Sequence, residues 1–189
     1  LGADALGSYI NATWSTGGSG DLRFQTGNTE RMRISTGGNV GIGTNNPLST
    51  LDINGDVRIG PYQRLNFYRF SSDASGSDTW LHLKTSQPLS ATIMQTVEFV
   101  GYEYGGSRTI NAQVSYYPYS PTNNILNIST TGTHTINVYK SSDNFVVLSL
   151  NVNQYFLGFV LNQYGPGPQG LHPISITATA WSASSTGAF

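Results

Sequence analysis

Asp73, Asp78, Glu98, Glu103 and Asp143 are the side chains beyond residue 60 that could cleave a glycosidic bond. That reaction needs two carboxyl groups about 5–10 Å apart. Asp73, Asp78 and Asp143 fall in turn-like stretches, where Asp serves the backbone. Glu98 and Glu103 lie on an apolar run and are the pair whose burial would perturb a pKa. Arg108 or Lys84 is their alternative, purely structural partner. Carboxylates this sparse do not mark a catalytic centre, so no catalytic residue is assigned and the chain is expected not to be an enzyme. His82, His134 and His172 are far apart and show no His-x-His or His-x3-His spacing; only three copies of one histidine around a trimer axis could gather a metal. Asp52-Ile53-Asn54-Gly55-Asp56 begins like a calcium loop, but Val57 occupies the position that needs Gly and no Glu closes it. Gly41-Ile42-Gly43 begins like a dinucleotide fingerprint, but Asn46 replaces the third Gly and no helix follows. A Walker A lysine, a His-Glu-x-x-His pair and a Gly-x-Ser-x-Gly elbow are absent from the sequence. No metal and no cofactor are expected.

Binding chemistry is better represented. Ten of the 11 tyrosines lie at or after residue 62, with clusters at Tyr102 and Tyr104, at Tyr116, Tyr117 and Tyr119, and at Tyr155 and Tyr164. Tyr and Trp offer flat faces to sugar C–H groups and a hydroxyl or N–H for hydrogen bonding. Packing within a sheet or between chains is the competing role for each. Tyr117, Tyr119 and Tyr164, in or beside Pro/Gly loops, and Trp181, at the end of the last strand, are the expected exposed ligand-binding residues. Asn11-Ala12-Thr13 and Asn127-Ile128-Ser129 match the N-glycosylation triplet by chance composition.

Composition agrees with a neutral recognition surface. Of 189 residues only 10% are charged, with 9 Lys and Arg against 10 Asp and Glu; an ordinary domain carries roughly 25%. Ser, Thr and Asn, at 22, 20 and 16, fill the difference. No basic excess is available to grip nucleic acid. No apolar run approaches the ~18 residues of a membrane-spanning helix, so no membrane insertion is expected. Aromatics at 12% argue for a packed core. Cysteine is absent, which excludes disulfides and leaves oligomerisation as the usual staple of an extracellular chain. The chain starts at Leu1 and reads as a piece of a longer protein.

The elements that must position these residues are strands. Up to residue 60 the chain is Gly-rich, with short alternating pieces at Leu22–Phe24, Met32–Ile34, Val40–Ile42 and Leu51–Ile53. Asn54-Gly55 reads as a tight hairpin. Such pieces bury little alone, and several copies wound together would share one core. From Pro61 the strand-like runs lengthen: Arg64–Phe70, Thr79–Thr85, Ala91–Tyr104, Thr109–Tyr117, Ile125–Ser129, His134–Lys140, Asn144–Leu150, Tyr155–Gln163 and Pro173–Trp181. Gly, Pro, Asn and Ser turns separate them, the Gly165-Pro166-Gly167-Pro168 turn included. Residues 1–60 are thus expected to be one segment and 61–189 an all-β, jelly-roll-like sandwich.

Glu30-Arg31-Met32-Arg33-Ile34, then Gly38-Asn39-Val40-Gly41-Ile42-Gly43-Thr44, Pro47, and Leu51-Asp52-Ile53-Asn54-Gly55-Asp56-Val57 recur in order. Residues 20–59 thereby resemble a shaft module of bacteriophage tail fibres and of related trimeric bacterial fibres, among them the mosaic adhesive fibres of predatory bacteria. The resemblance implies a homotrimeric, interwoven β-prism-like shaft preceding a C-terminal tip that meets a receptor. It implies an extracellular location on a virion tail or cell surface, and an envelope glycan as the partner. The residues expected inside the shaft are Val40, Ile42, Leu51, Ile53 and Val57, with Gly41 and Gly43 allowing three backbones to approach. A depolymerase tailspike and a purely structural trimerisation cap are the alternatives.

Overall fold

The computed structural model describes residues 2–4, 7–9, 20–61, 63–73, 76–153, 155–165 and 172–189. Asn11-Ala12-Thr13 and Pro166-Gly167-Pro168 lie outside them. The described chain is all-β, with two single-turn 3-10 segments and no α-helix. It divides into two compact units, Leu1–Gly55 and Asp56–Phe189.

In the first unit β1 (Gly2–Asp4) and β2 (Gly7–Tyr9) pair as a ribbon. β3 (Leu22–Thr26), β4 (Thr29–Ile34), β5 (Val40–Ile42) and β6 (Leu51–Ile53) form a second sheet in sequence order. The β3–β4 hairpin turns on Gly27 and Asn28, both at positive φ (56° and 61°), the backbone a two-residue hairpin needs. β5 and β6 run parallel.

Register sorts this sheet's side chains by chemistry. One cross-strand row is Leu22–Ile34–Val40–Leu51, and the next on the same face is Phe24–Met32–Ile42–Ile53. The row between them, on the opposite face, is Arg23–Arg33–Gly41–Asp52. One face is thus wholly apolar over eight side chains. None of the eight is buried, and Leu51 is 57% exposed. The polar face is tied by Arg33, which donates to Glu30 Oε1 at 2.6 Å and Asp21 Oδ2 at 2.9 Å. The Arg33 hydrogen bond holds the Glu30 carboxyl below its ordinary range.

Two expectations change here, and two glycines gain a reason within the single chain. Asn54-Gly55 is not a hairpin: Asn54 N–H donates to Ile42 O, extending the parallel pairing, and the next strand pairs elsewhere. Val57 therefore leaves the apolar stripe; it pairs with Leu65 in the second unit. Gly41 and Gly43 are required within one chain. A Cβ on Gly41 would stand 2.7 Å from Thr44 O, and Gly43 adopts φ 70° against Asn54.

The second unit contains β7 (Val57–Ile59), β8 (Gln63–Ser72), β9 (Trp80–Pro88), β10 (Gln95–Glu103), β11 (Arg108–Tyr119), β12 (Asn124–Gly132), β13 (Ile136–Lys140), β14 (Phe145–Asn151), β15 (Leu157–Tyr164) and β16 (Ile176–Ser182). They form a six-stranded sheet, β12-β11-β10-β15-β8-β7, and a four-stranded sheet, β13-β14-β9-β16. Each expected run carries a strand, but the third starts late: Leu89–Ala91 forms a 3-10 turn and Thr92 adopts φ 51°. β11 and β15 alternate cleanly between buried and open positions. Val97, Phe99, Ile110, Val114, Phe159 and Leu161 of one sheet join Leu81, Leu83, Leu148 and Leu150 of the other in a single buried cluster, an arrangement consistent with a β-sandwich. Gly101 faces that core, where a Cβ would stand 2.5 Å from Phe159 Cα.

Candidate functional site

Alternation decides where each expected ligand-binding aromatic goes. Trp181 pairs with Leu81, a core residue, and so turns inward; its ring centroid lies 6.2 Å from that of Phe70. It is a core-packing side chain, contrary to the expectation of exposure. Tyr117, Tyr119 and Tyr164 lie on the outer face of the six-stranded sheet but are half-buried rather than exposed. Tyr117 and Tyr119 lean on each other at 5.7 Å. The Tyr164 hydroxyl donates to Glu98 Oε2 at 2.8 Å. Desolvation and this carboxylate both raise the Tyr164 pKa.

The exposed aromatics gather elsewhere. Tyr102 is the penultimate residue of β10, Tyr104 opens the β10–β11 turn, and Tyr155 and Phe156 lead into β15; all four are between 42% and 57% exposed. Phe156 stands edge-on to Tyr155 at 4.6 Å and to Tyr104 at 6.0 Å. Tyr104 N–H donates to Phe156 O at 3.1 Å, and Gly105 N–H to Tyr155 O at 3.3 Å, lacing the two segments together. A depression of about 510 Å³ beside them is lined by Tyr102, Phe156, Leu157, Gly158, Ser71, Ser72 and Asp73. Tyr102-x-Tyr104 before Gly105-Gly106 was the sequence signal for half of this cluster. The Tyr155-Phe156 half follows from pairing; the sequence groups Tyr155 with Tyr164 instead, and Phe156 carries no signal.

Glu103 anchors the cluster from beneath. Its buried carboxylate accepts from Asn153 N–H at 3.0 Å, from Arg108 Nη2 at 3.0 Å and from His134 Nε2 at 3.3 Å. Asn153 Oδ1 in turn accepts from Tyr155 N–H at 2.9 Å. Burial alone would push the Glu103 carboxyl up; the Asn153 N–H, Arg108 and His134 together hold it below its ordinary range. Burial and Arg108 hold His134 down, against the opposing pull of Glu103. Glu98 and Glu103 are five residues apart on one strand and so project to opposite faces. Glu98 accepts from Asn162 and Tyr164 on the outside. These two carboxylates do not converge on one bond.

His82 and His134 are also turned inside the chain, both buried. His82 lies opposite the Leu81 and Leu83 side of β9, yet is fully buried because residues 183–189 fold across that face. Its Nε2–H donates to Ser184 O at 3.0 Å, and Nδ1 accepts from the Tyr139 hydroxyl at 2.9 Å. Desolvation lowers the His82 pKa, partly offset by the Ser184 carbonyl. Ser149 Oγ donates to Ser185 O at 2.6 Å and Ala188 N–H to Tyr139 Oη at 3.3 Å. Deleting residues 183–189 is expected to cost about 2 kcal/mol by stripping partners from these buried groups. Thermal unfolding by calorimetry measures it; an unchanged midpoint would show the tail to be ornamental. No group of His, Asp and Glu suited to a metal ion occurs among the described residues.

Comparison of the chain with protein-family models, with curated proteins and with solved structures finds no match.

Proposed function

We propose that this chain is the C-terminal part of a homotrimeric fibre adhesin of a phage tail or a bacterial surface, acting outside the cell. Its first unit serves as an interwoven, prism-like shaft. Its second unit is a jelly-roll-like tip that attaches to a receptor, an envelope glycan. The observation that carries the reading is the apolar face of the β3–β6 sheet. Eight apolar side chains in two rows, none buried, require a partner surface, because a sheet of three- to six-residue strands is not stable with its apolar face in water. Copies of the same chain supply that surface with matching chemistry and register. Three tips on one shaft also convert weak single contacts into strong attachment through effective concentration. The aromatic, uncharged tip supports recognition of a neutral surface.

Fluorescently labelled protein is expected to decorate whole bacteria or isolated envelopes from a panel of Gram-negative strains, at a mass three times the 20.3 kDa chain. A trimer that decorates no envelope would be a structural cap instead. A monomer would overturn the fibre reading itself.

A further inference from the structure

We infer that the saccharide site of the tip is the Tyr102–Phe156 cradle at the β10–β15 end of the six-stranded sheet, and that it takes a neutral saccharide. The inference rests on the adhesin reading and gives it a location and a ligand class.

The first support is shape. The depression of about 510 Å³ beside Tyr102 and Phe156 falls within the roughly 300–1,000 Å³ of small-ligand sites. Its floor is Gly158, on the outer face, where a Cβ would meet nothing nearer than Phe70 O at 3.9 Å. The missing side chain is what leaves the hollow open. The second support is chemistry. One wall is aromatic; the other carries Ser71, Ser72 and Asp73. A sugar ring has the same two aspects, C–H bonds on its face and hydroxyls on its rim. Among the described residues no Lys or Arg lines the depression, so an acidic sugar would meet the Asp73 carboxylate, whereas a neutral one gains an acceptor there.

The third support is preorganisation. Phe156 adopts φ 46°, a left-handed backbone that a bulky side chain rarely takes, and such strain collects at binding sites. The cost is borne by the Glu103–Asn153–Tyr155 hydrogen bonds and by the Tyr104–Phe156 backbone bond. The result is a Phe ring held 52% exposed and edge-on to two tyrosines. Rings fixed before binding lose little entropy when a ligand arrives.

The test uses the full chain on resins bearing galactose, glucose, mannose or N-acetylglucosamine, with heparin resin as the acidic control. Wild type is expected to be retained by at least one neutral resin and released by the free sugar. Tyr102→Ala and Phe156→Ala are expected to weaken that affinity about tenfold each, as truncation of aromatic anchors does. Gly158→Gln, which fills the hollow and leaves every ring in place, is expected to abolish retention with an unchanged melting temperature. Tyr117→Ala and Tyr119→Ala are expected to bind as wild type. The inference is overturned if wild type binds no neutral resin, if it binds heparin alone, or if Gly158→Gln binds normally. It is also overturned if Tyr102→Ala changes the oligomeric mass, which would make the cradle a contact between copies. Envelope decoration run on the same proteins separates the two readings. Decoration that survives in Gly158→Gln removes this site but keeps the adhesin, whereas wild type that decorates nothing removes the adhesin.

Discussion

Glu103→Ala is expected to lower the unfolding free energy of the second unit by about 3 kcal/mol, the scale on which leaving two buried donors without an acceptor acts. The change removes one carboxylate and strands its donors: the Asn153 N–H, His134 Nε2–H and the Arg108 guanidinium all lose their acceptor. Of these, Arg108 is half-exposed and recovers water, while His134 is fully enclosed. Most of the cost therefore comes from His134 and the backbone. Glu103→Gln keeps the shape and one acceptor oxygen, and is expected to lose less than Glu103→Ala. Denaturant unfolding followed by tyrosine fluorescence ranks the two; equal midpoints for wild type and Glu103→Ala would remove Glu103 as an anchor.

Glu103 and the two buried histidines set a pH dependence. His82 and His134 have folded-state pKa values below the ordinary 6.5. The unfolded chain therefore takes up protons at those sites before the folded one does, and stability falls as pH drops below about 6.5. Glu103 titrates below its ordinary 4.5 when folded, so its contribution is complete above that value and is lost as pH falls through the depressed one. Both effects have the same sign, and acid weakens the fold throughout. Below pH 4.5 the Glu103→Gln variant is expected to lose stability less steeply than wild type, since the carboxylate step is gone.

Strands were legible in the sequence because alternation is a local property. Val40–Ile42 and Leu51–Ile53 were read to the residue, and Thr109–Tyr117 nearly so. Pairing was not legible. Asn54-Gly55 has hairpin chemistry, yet the strand after it, Val57–Ile59, pairs with Gln63–Ser72, and nothing local announces that choice. The same limit misplaced the exposed aromatics. Trp181 looked exposed as the last large residue of the last strand, but its register opposite Leu81 turns it to the core. Tyr155 is grouped in sequence with Tyr164 rather than with Tyr104, and Phe156 stands out in no way; both lie beside Tyr102 and Tyr104 because β10 and β15 pair. The sequence offers Glu98 and Glu103 as buried carboxylates and Arg108 or Lys84 as their partner; only Glu103 is buried, on Arg108, while Lys84 pairs with Asp143, and His134 and Asn153 reach Glu103 only through the fold.

Ile42→Asp is expected to convert the proposed three-chain assembly into single chains of 20.3 kDa. Ile42 sits in the row Phe24–Met32–Ile42–Ile53, with Met32 and Ile53 as its immediate cross-strand neighbours. A charge there can reach water in an isolated chain, where the position is 40% exposed. In a trimer it places three carboxylates in a shared apolar core, where desolvation of each costs several kcal/mol and their mutual repulsion adds to it. Leu51→Asp, in the adjacent row, is expected to act in the same way. Arg23→Asp, one residue from Phe24 but on the polar face, reverses a charge on the same sheet and is expected to leave the assembly intact. That contrast between faces is what makes the experiment decisive: light scattering that gives one mass for all four proteins, whether one chain or three, would mean that the apolar face does not hold copies together. Resistance to unheated SDS should follow the same order, since interlocked chains must separate before they unfold.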